Sequence, residues 1–323
     1  MRVYDAAEIT KAVPVGKLLD AVEAAFRDVA SGRDRSPLRF HVPLANGDLL
    51  LMPGVRAGGS GSSVKLVTVL PGNAARGLPT VQAVIIWLDG ETGTPVAVLD
   101  GTTVTAMRTG AASGVATRLL ARTDAAVLGL LGTGGQAAWQ VRAVLAARAI
   151  REVRVFSRDA AARGRFVAEL ARELGDRVRV VAAQSAQEAV TTADVVCCAT
   201  TSSQPVFDAD WLRPGAHVNG VGAFRLGMVE LPPELFARAA MVTVDSRAAA
   251  LAEAGDLVAA IDGGLIGGDA FIEIGTVGRE WAATRDPKAI TVFKSVGLAI
   301  QDVAAAELVV AGRTPPPGER GSG

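Results

Sequence analysis

An apolar run that breaks into glycines and resumes as a helix constrains this chain more than any other feature: Val127-Leu-Gly-Leu-Leu-Gly132-Thr133-Gly134-Gly135-Gln136-Ala137. The five residues before Gly132 are strand-like, and the pattern G-x-G-x-x-A follows. Each small residue has its own steric task in such a unit. Gly132 permits the tight turn, Gly134 lets the backbone approach a pyrophosphate, and Ala137 lets the helix pack closely on the strand. The helix start offers unpaired N–H donors and a dipole suited to phosphate. A tight strand–helix turn needs no ligand, so the glycines alone are a weak signal. With both flanks of the right character they predict a dinucleotide site.

The surrounding sequence repeats the strand–helix alternation. Residues 126–131 lead to a helix from Gln136, 153–156 to a helix from Ala160, 178–182 to a helix from Ala186, and 195–199 form a fourth strand; 217–221 and 241–244 read as two more. Apolar, β-branched strands alternating with helices imply a parallel sheet covered on both faces. The expected class is α/β, a Rossmann-type doubly wound parallel sheet with a smaller α+β domain.

The smaller domain is predicted from the first hundred residues, where strand-like runs at 39–44, 48–52, 64–70 and 81–88 are punctuated by turns at Pro71-Gly72, Gly77-Leu78-Pro79 and 90–93. They resemble an antiparallel sheet. A helix over 15–30, with Leu18, Leu19, Val22, Ala25 and Phe26 at helical spacing, would cap it. Residues 105–121 form a helix whose positions 109–117 are almost all small, which suits close backbone approach. Residues 291–310 read as one long amphipathic helix returning to the first domain, and the tail after Gly312 as disordered. The expected division is therefore 1–112 with 296–323, and 113–295. At 323 residues and 50% apolar, the chain can bury two cores.

Charge and composition narrow the partners. Lysine plus arginine (33) balance aspartate plus glutamate (33), so no global charge steers the chain toward nucleic acid or an anionic membrane. No uncharged run reaches the ~18 to 20 residues of a membrane span. Met1-Arg-Val-Tyr-Asp5 lacks a leader pattern, and the cytoplasm is the expected compartment. Cys197 and Cys198 are adjacent, with no zinc spacing around them, and read as buried packing residues.

Two further readings concern ligands. A carboxylate ending the second strand of such a fold accepts hydrogen bonds from the adenosine ribose of NAD, whereas an arginine suits a 2′-phosphate. Here the sequence is Phe156-Ser157-Arg158, which favours NADP(H) and leaves NAD(H) possible. Lys65 lies in the apolar strand Val64-Lys65-Leu66-Val67, Arg39 shares a strand face with His41, and Arg108 opens the small-residue helix. Three cations without obvious carboxylate partners suggest an anionic ligand, a carboxylate in particular. His41 alone reads as structural.

Several segments together resemble the ornithine cyclodeaminase/mu-crystallin family over nearly the whole chain: Met52-Pro53, Lys65-Leu-Val-Thr, Gly77-Leu-Pro-Thr80, Thr105-Ala-Met-Arg108-Thr-Gly-Ala-Ala, Gly132-Thr-Gly-Gly-Gln-Ala137, Val244-Asp-Ser246 and Val292-Phe-Lys-Ser295-Val-Gly-Leu-Ala-Ile-Gln-Asp302. The resemblance implies a homodimer formed through the first domain, a substrate held between that domain and a nicotinamide, and chemistry on a small amino or imino acid. Lys65 and Arg108 match substrate-carboxylate ligands, Arg39 a third, and Val296 a residue at the substrate. Thr80, Gly135, Gln136, Thr200 and Ser295 match cofactor contacts, joined by Arg108, Thr133, Val221 and Gly222. Ser157 stands where NAD-using cyclodeaminases carry an aspartate.

One departure bears on the reaction. Cyclodeaminases carry a catalytic aspartate after the loop that is here Val221-Gly222-Ala223, and the next residue is Phe224; a lysine a few residues on is Met228. Ketimine reductases often have Arg-Pro-Asp there, and here Arg225 is followed by Leu226-Gly227. A phenylalanine cannot accept a proton. The leading expectation is an NADPH-dependent imine reductase or amino-acid dehydrogenase, with Arg108 and Arg39 on the carboxylate and Lys65, its pKa lowered by cationic neighbours, as proton donor or polarising group. The alternatives are ornithine or lysine cyclodeamination with recycled NAD, for which Asp208, Asp210 or Glu230 would have to replace the missing acid, and a non-catalytic protein that holds NADPH and a small ligand.

Overall fold

The computed structural model describes residues 1–312; the tail expected to be disordered lies outside the described residues. The N-terminal part is built on a six-stranded sheet. Strand β1 (Arg2–Tyr4) precedes helices α1 (Ala6–Ala12) and α2 (Val15–Ala30), and five strands follow: β2 (Phe40–Leu44), β3 (Gly47–Val55), β4 (Gly61–Val69), β5 (Val81–Asp89) and β6 (Pro95–Asp100). The order is β1-β6-β5-β4-β3-β2, an antiparallel meander with β1 added parallel to β6. The pleat of β4 buries Gly61, Ser63, Lys65, Val67 and Val69 and leaves the alternate residues half-buried. Strand β6, α1 and the pairing of β1 are not in the sequence reading.

A twenty-residue helix, α3 (Gly101–Leu120), links this part to the next, capped by Asp100, whose side chain accepts from the Thr103 amide at 2.7 Å. It runs unbroken through residue 112. Its small residues serve the purpose the sequence suggested: a Cβ on Gly110 would strike the Trp139 carbonyl, and one on Gly114 would lie 2.9 Å from the Ala143 oxygen. Both neighbours belong to α4 (Ala137–Ala147).

The second sheet has eight strands, all parallel, in the order β13-β12-β14-β11-β10-β7-β8-β9. These are β7 (Val127–Leu131), β8 (Glu152–Phe156), β9 (Arg179–Ala182), β10 (Val195–Cys198), β11 (His217–Gly220), β12 (Met241–Val244), β13 (Ile272–Glu273) and β14 (Thr291–Lys294); helices α5 (Ala160–Leu174), α6 (Ala186–Val190), α7 (Pro233–Arg238), α8 (Arg247–Glu253), α9 (Gly255–Asp262) and α10 (Trp281–Thr284) join them. The order reverses at β7 and β10, which opens a crevice at their carboxyl ends. Cys197 and Cys198 are buried free thiols in β10, and burial pushes Cys197 up to about 12.

One expectation fails here. Residues 291–310 are not one helix: 291–294 form β14, inserted between β11 and β12, and α11 (Ala299–Ala311) begins only after a turn. Thr291-Val-Phe-Lys is β-branched and aromatic and is buried throughout, as a central strand must be. Gly297, at φ 86°, makes the turn. Helix α11 then crosses to the first sheet, where a Cβ on Gly54 would lie 2.8 Å from Val303. Among the described residues no helix is long and apolar enough to cross a membrane.

Candidate active site

A cavity of about 1030 Å³ lies between the inner face of the first sheet and the carboxyl edge of the second. Every position predicted from sequence lines it except Thr133 and Ala137. Ala137 is the buried first residue of α4, and its amide donates to Gly134 at 2.9 Å. Thr133 lies in the same turn.

One end has the chemistry of a dinucleotide site. Gly132 has φ 105°, and a Cβ there would lie 2.6 Å from the Ala199 carbonyl, so only glycine fits the turn. The amides of Thr133, Gly134, Gly135 and Gln136 donate to no acceptor among the described residues and cluster at the start of α4. The buried Gln136 Oε1 and Thr105 Oγ1, both on cavity residues, also lack partners. Beyond β8 the wall continues through Phe156, Ser157, Arg158 and Asp159. The Asp159 carboxylate is spent as the α5 cap, accepting from Ala162 at 2.9 Å, whereas Arg158 is exposed and forms no ion pair among the described residues.

The other end carries the cations, but not unpartnered as expected. Lys65 Nζ lies 2.7 Å from Asp302 Oδ2, and Arg108 Nε donates to Asp302 Oδ1 at 3.0 Å. Arg108 Nη1 donates to Gln301 at 2.9 Å. Arg39 pairs with Glu253 at 2.9 Å and donates to the Val296 and Gly297 carbonyls at 2.7 Å each. All three Arg39 contacts use Nη2, and the Arg108 contacts leave its Nη2 free, so each guanidinium keeps donors for a ligand. Gly297 gives Arg108 its room, since a side chain there would occupy the guanidinium's place. Buried charges must be paired, which is why the carboxylates are there. Gln301-Asp302 is a polar pair in the first turn of a helix whose only other polar residue is Glu307, the same signal that marks Lys65.

Burial lowers the Lys65 ammonium to about 7. Asp302 opposes that fall, while Arg108 and Arg39 add to it; desolvation, more than the cationic neighbours, is the main cause. Burial likewise lowers Arg39 and raises Glu253, and their mutual attraction opposes both. The rest of this end is apolar: Leu50, Met52, Val67, Val69 and Phe224 form its wall.

The alternative acids are elsewhere. Asp208 caps a short turn through the Asp210 amide, and Asp210 pairs with Arg238 at 2.8 Å. Glu230 is buried with both oxygens taken by backbone amides, and none of the three lines the cavity. His41 is also outside it, bonded to Asp48 at 2.6 Å, and Arg225 reaches the same carboxylate at 3.0 Å. Met228 is core. Another buried carboxylate, Asp245, falls in the segment Val244-Asp-Ser246 but has no role assigned from sequence: its Oδ2 accepts from the Ser295 hydroxyl and the Val296 and Gly297 amides at 2.7 to 2.9 Å, fixing the loop after β14.

Comparison with known proteins bears on this geometry. The chain is 38% identical over 311 residues, 95% of both chains, to a Δ1-pyrroline-2-carboxylate reductase of Bacillus cereus. It is 38% identical over 297 residues, 90% of both, to the mouse ketimine reductase mu-crystallin. Its fold superposes on Thermococcus litoralis Δ1-pyrroline-2-carboxylate reductase, solved with NADH and L-proline, with TM-score 0.90 and 34% identity over 97% of both chains. The family model for ornithine cyclodeaminase/mu-crystallin proteins matches residues 2–312, and the chain belongs to that family.

Proposed function

We propose that this protein is a nicotinamide-dependent oxidoreductase acting on the C=N or CH–NH group of a small imino or amino acid, in the manner of a cyclic ketimine reductase, with NADPH preferred. The observation that carries the reading is the pairing of two ends in one cavity: free amides at a glycine turn, and two arginines with spare donors beside a lysine poised near neutrality. Residues 113–295 supply the cofactor side, and 1–112 with the C-terminal helix supply most of the substrate side.

The bound dinucleotide would supply a hydride to the imine carbon. Gly132, Gly134, Gly135 and Gln136 would hold its pyrophosphate, with Thr80, Thr200, Val221, Gly222 and Ser295 along the nicotinamide half. Ser157 and Arg158 favour a 2′-phosphate, because Asp159 is occupied as a cap. Arg108 Nη2 and the free nitrogens of Arg39 bind and orient the substrate carboxylate. Lys65 donates a proton to the neutral imine nitrogen; an imine that arrives protonated is already activated for hydride and needs no donor. The apolar wall with Phe224 and Val296 excludes water and accepts a hydrocarbon ring. It offers no acid for ornithine's second ammonium, which disfavours cyclodeamination.

The test follows nicotinamide absorbance with NADPH or NADH against pyrroline-2-carboxylate, piperideine-2-carboxylate and pyruvate with ammonia, and assays ornithine with NAD. Substrate-dependent NADPH oxidation is expected. Ammonia release from ornithine without net cofactor change would replace the reductase with a lyase, and tight NADPH binding without turnover would leave a binding protein.

A further inference from the structure

Glu230 touches nothing in the cavity, yet it organises two of its walls. It has no exposed surface. Its Oε2 accepts from the Thr200 amide at 3.0 Å and the Thr200 hydroxyl at 3.1 Å, and its Oε1 accepts from the amides of Gly222 at 2.6 Å and Ala223 at 3.3 Å. Thr200 follows β10 and Gly222 follows β11, and both line the cavity. One side chain thus ties two loops together through four donors. Gly222 completes the fit, because a Cβ there would collide with the Thr200 backbone.

The carboxylate sits in an unusual charge environment. Lys294 of β14 and Asp256 of α9 are also without exposure. Lys294 donates to the Ala223 carbonyl at 2.7 Å, lies 3.3 Å from Asp256 Oδ2 and 4.0 Å from Glu230 Oε1. The thiols of Cys197 and Cys198 on β10 are the other titratable groups that bear on it. Two acids and one base carry a net negative charge when all are ionised. Buried ion clusters are poor stabilisers compared with apolar packing of the same volume, so fold stability is a weak reason for this one.

With a pyrophosphate at the turn after β7 and adenosine toward β8, the nicotinamide half of a dinucleotide lies across the crevice, toward the ends of β10 and β11. We propose that Glu230 is a positioning residue for the cofactor: its charge draws the loops after β10 and β11 into the shape that receives the nicotinamide half. The inference rests on the dinucleotide reading of the cavity. Burial, reinforced by Asp256 and opposed by Lys294 and the amides, raises the Glu230 carboxyl to about 7. A protonated Glu230 needs an acceptor for its own proton and loses part of its hold on the four donors. Cofactor affinity therefore falls as pH drops through neutrality.

The experiment measures NADH and NADPH dissociation constants by nicotinamide fluorescence, from acid to alkaline pH, in wild type, Glu230→Gln and Asp256→Asn. In Glu230→Gln the expected result is at least tenfold weaker binding at alkaline pH and loss of one acid-side limb; any 2′-phosphate titration survives because it belongs to NADPH. In Asp256→Asn, which removes a neighbouring negative charge, that limb moves to lower pH. A folded Glu230→Gln that binds NADH like wild type at alkaline pH overturns the proposal. So does an unmoved limb in Asp256→Asn, which decides the matter if the glutamine variant does not fold. Failure of wild type to bind either nucleotide overturns instead the dinucleotide reading on which the proposal stands.

Discussion

Lys65 carries the sharpest prediction because its charge state is balanced. With an ammonium lowered to about 7 by burial, the protonated form needed to donate to an imine disappears as pH rises through neutrality. Reduction should lose kcat/KM above that point, while oxidation of the amino acid, which needs the free amine, should gain it. Lys65→Met should remove both limbs; limbs that persist in this variant would assign them to another group. Arg108→Ala should cost at least tenfold in kcat/KM on a carboxylated imine, about 1.4 kcal/mol of transition-state binding. Arg108→Lys should rescue little, because a compact ammonium lacks the planar fork whose separate nitrogens reach Asp302, Gln301 and a substrate. These cations were legible in the sequence as charges in apolar surroundings. Their carboxylate partner was not: Asp302 stands in the resemblance segment with no role read for it, its pairing with Arg108 spans 194 residues, and no local pattern reports such a contact. Glu253 in an alanine-rich helix and Asp245 at the end of β12 sit where exposed charges are also common, so neither singles itself out.

The small-residue helix α3 sets the site in two ways: Thr102, Thr105, Arg108 and Thr109 line the cavity, and its packing fixes a neighbouring helix. Its Gly110 backbone lies against α4 at Trp139 with no room for a methyl, and α4 begins at the glycine turn. Gly110→Ala should therefore cost about 1 to 3 kcal/mol in urea unfolding and also weaken NADPH binding by tilting the start of α4. Gly164→Ala, in α5 with open space around the added methyl, should instead gain about 0.5 to 1 kcal/mol without changing affinity. Equal effects from the two substitutions would remove the packing argument. The strand–helix alternation around these elements was legible because each strand is short, apolar and followed by amphipathic sequence. The misread segment, 291–310, was not: β14 and residues 299–306 of α11 are buried throughout, and burial on every side erases the periodicity that separates strand from helix. Only Gly297 marked the break.

At the scale of the whole molecule, no helix among the described residues packs on one face of the first sheet. Helices α3 and α11 pack on the inner face, with α2 packed on them rather than on the strands, while across the outer one Pro53, Val64, Ile86, Val98 and Val3 form a continuous row over five strands. Leu51, Leu66 and Val84 form a second row beside it. An apolar sheet face of this extent is rarely left to water, and a self-complementary surface is what a two-fold dimer buries. A second copy of this chain is the occupant proposed. The row also has a functional side: Val64 and Leu66 flank Lys65 on β4, so packing on the outer face steadies the strand that presents Lys65 to the cavity. Ile86→Glu puts a carboxylate in the middle of the row, where desolvating it is costly. Light scattering should then show a monomer in place of a dimer, and reductase activity should fall with the loss of β4 support. A variant that stays dimeric would move the interface elsewhere on the molecule. A fully active monomer would keep the interface but detach it from the chemistry of Lys65.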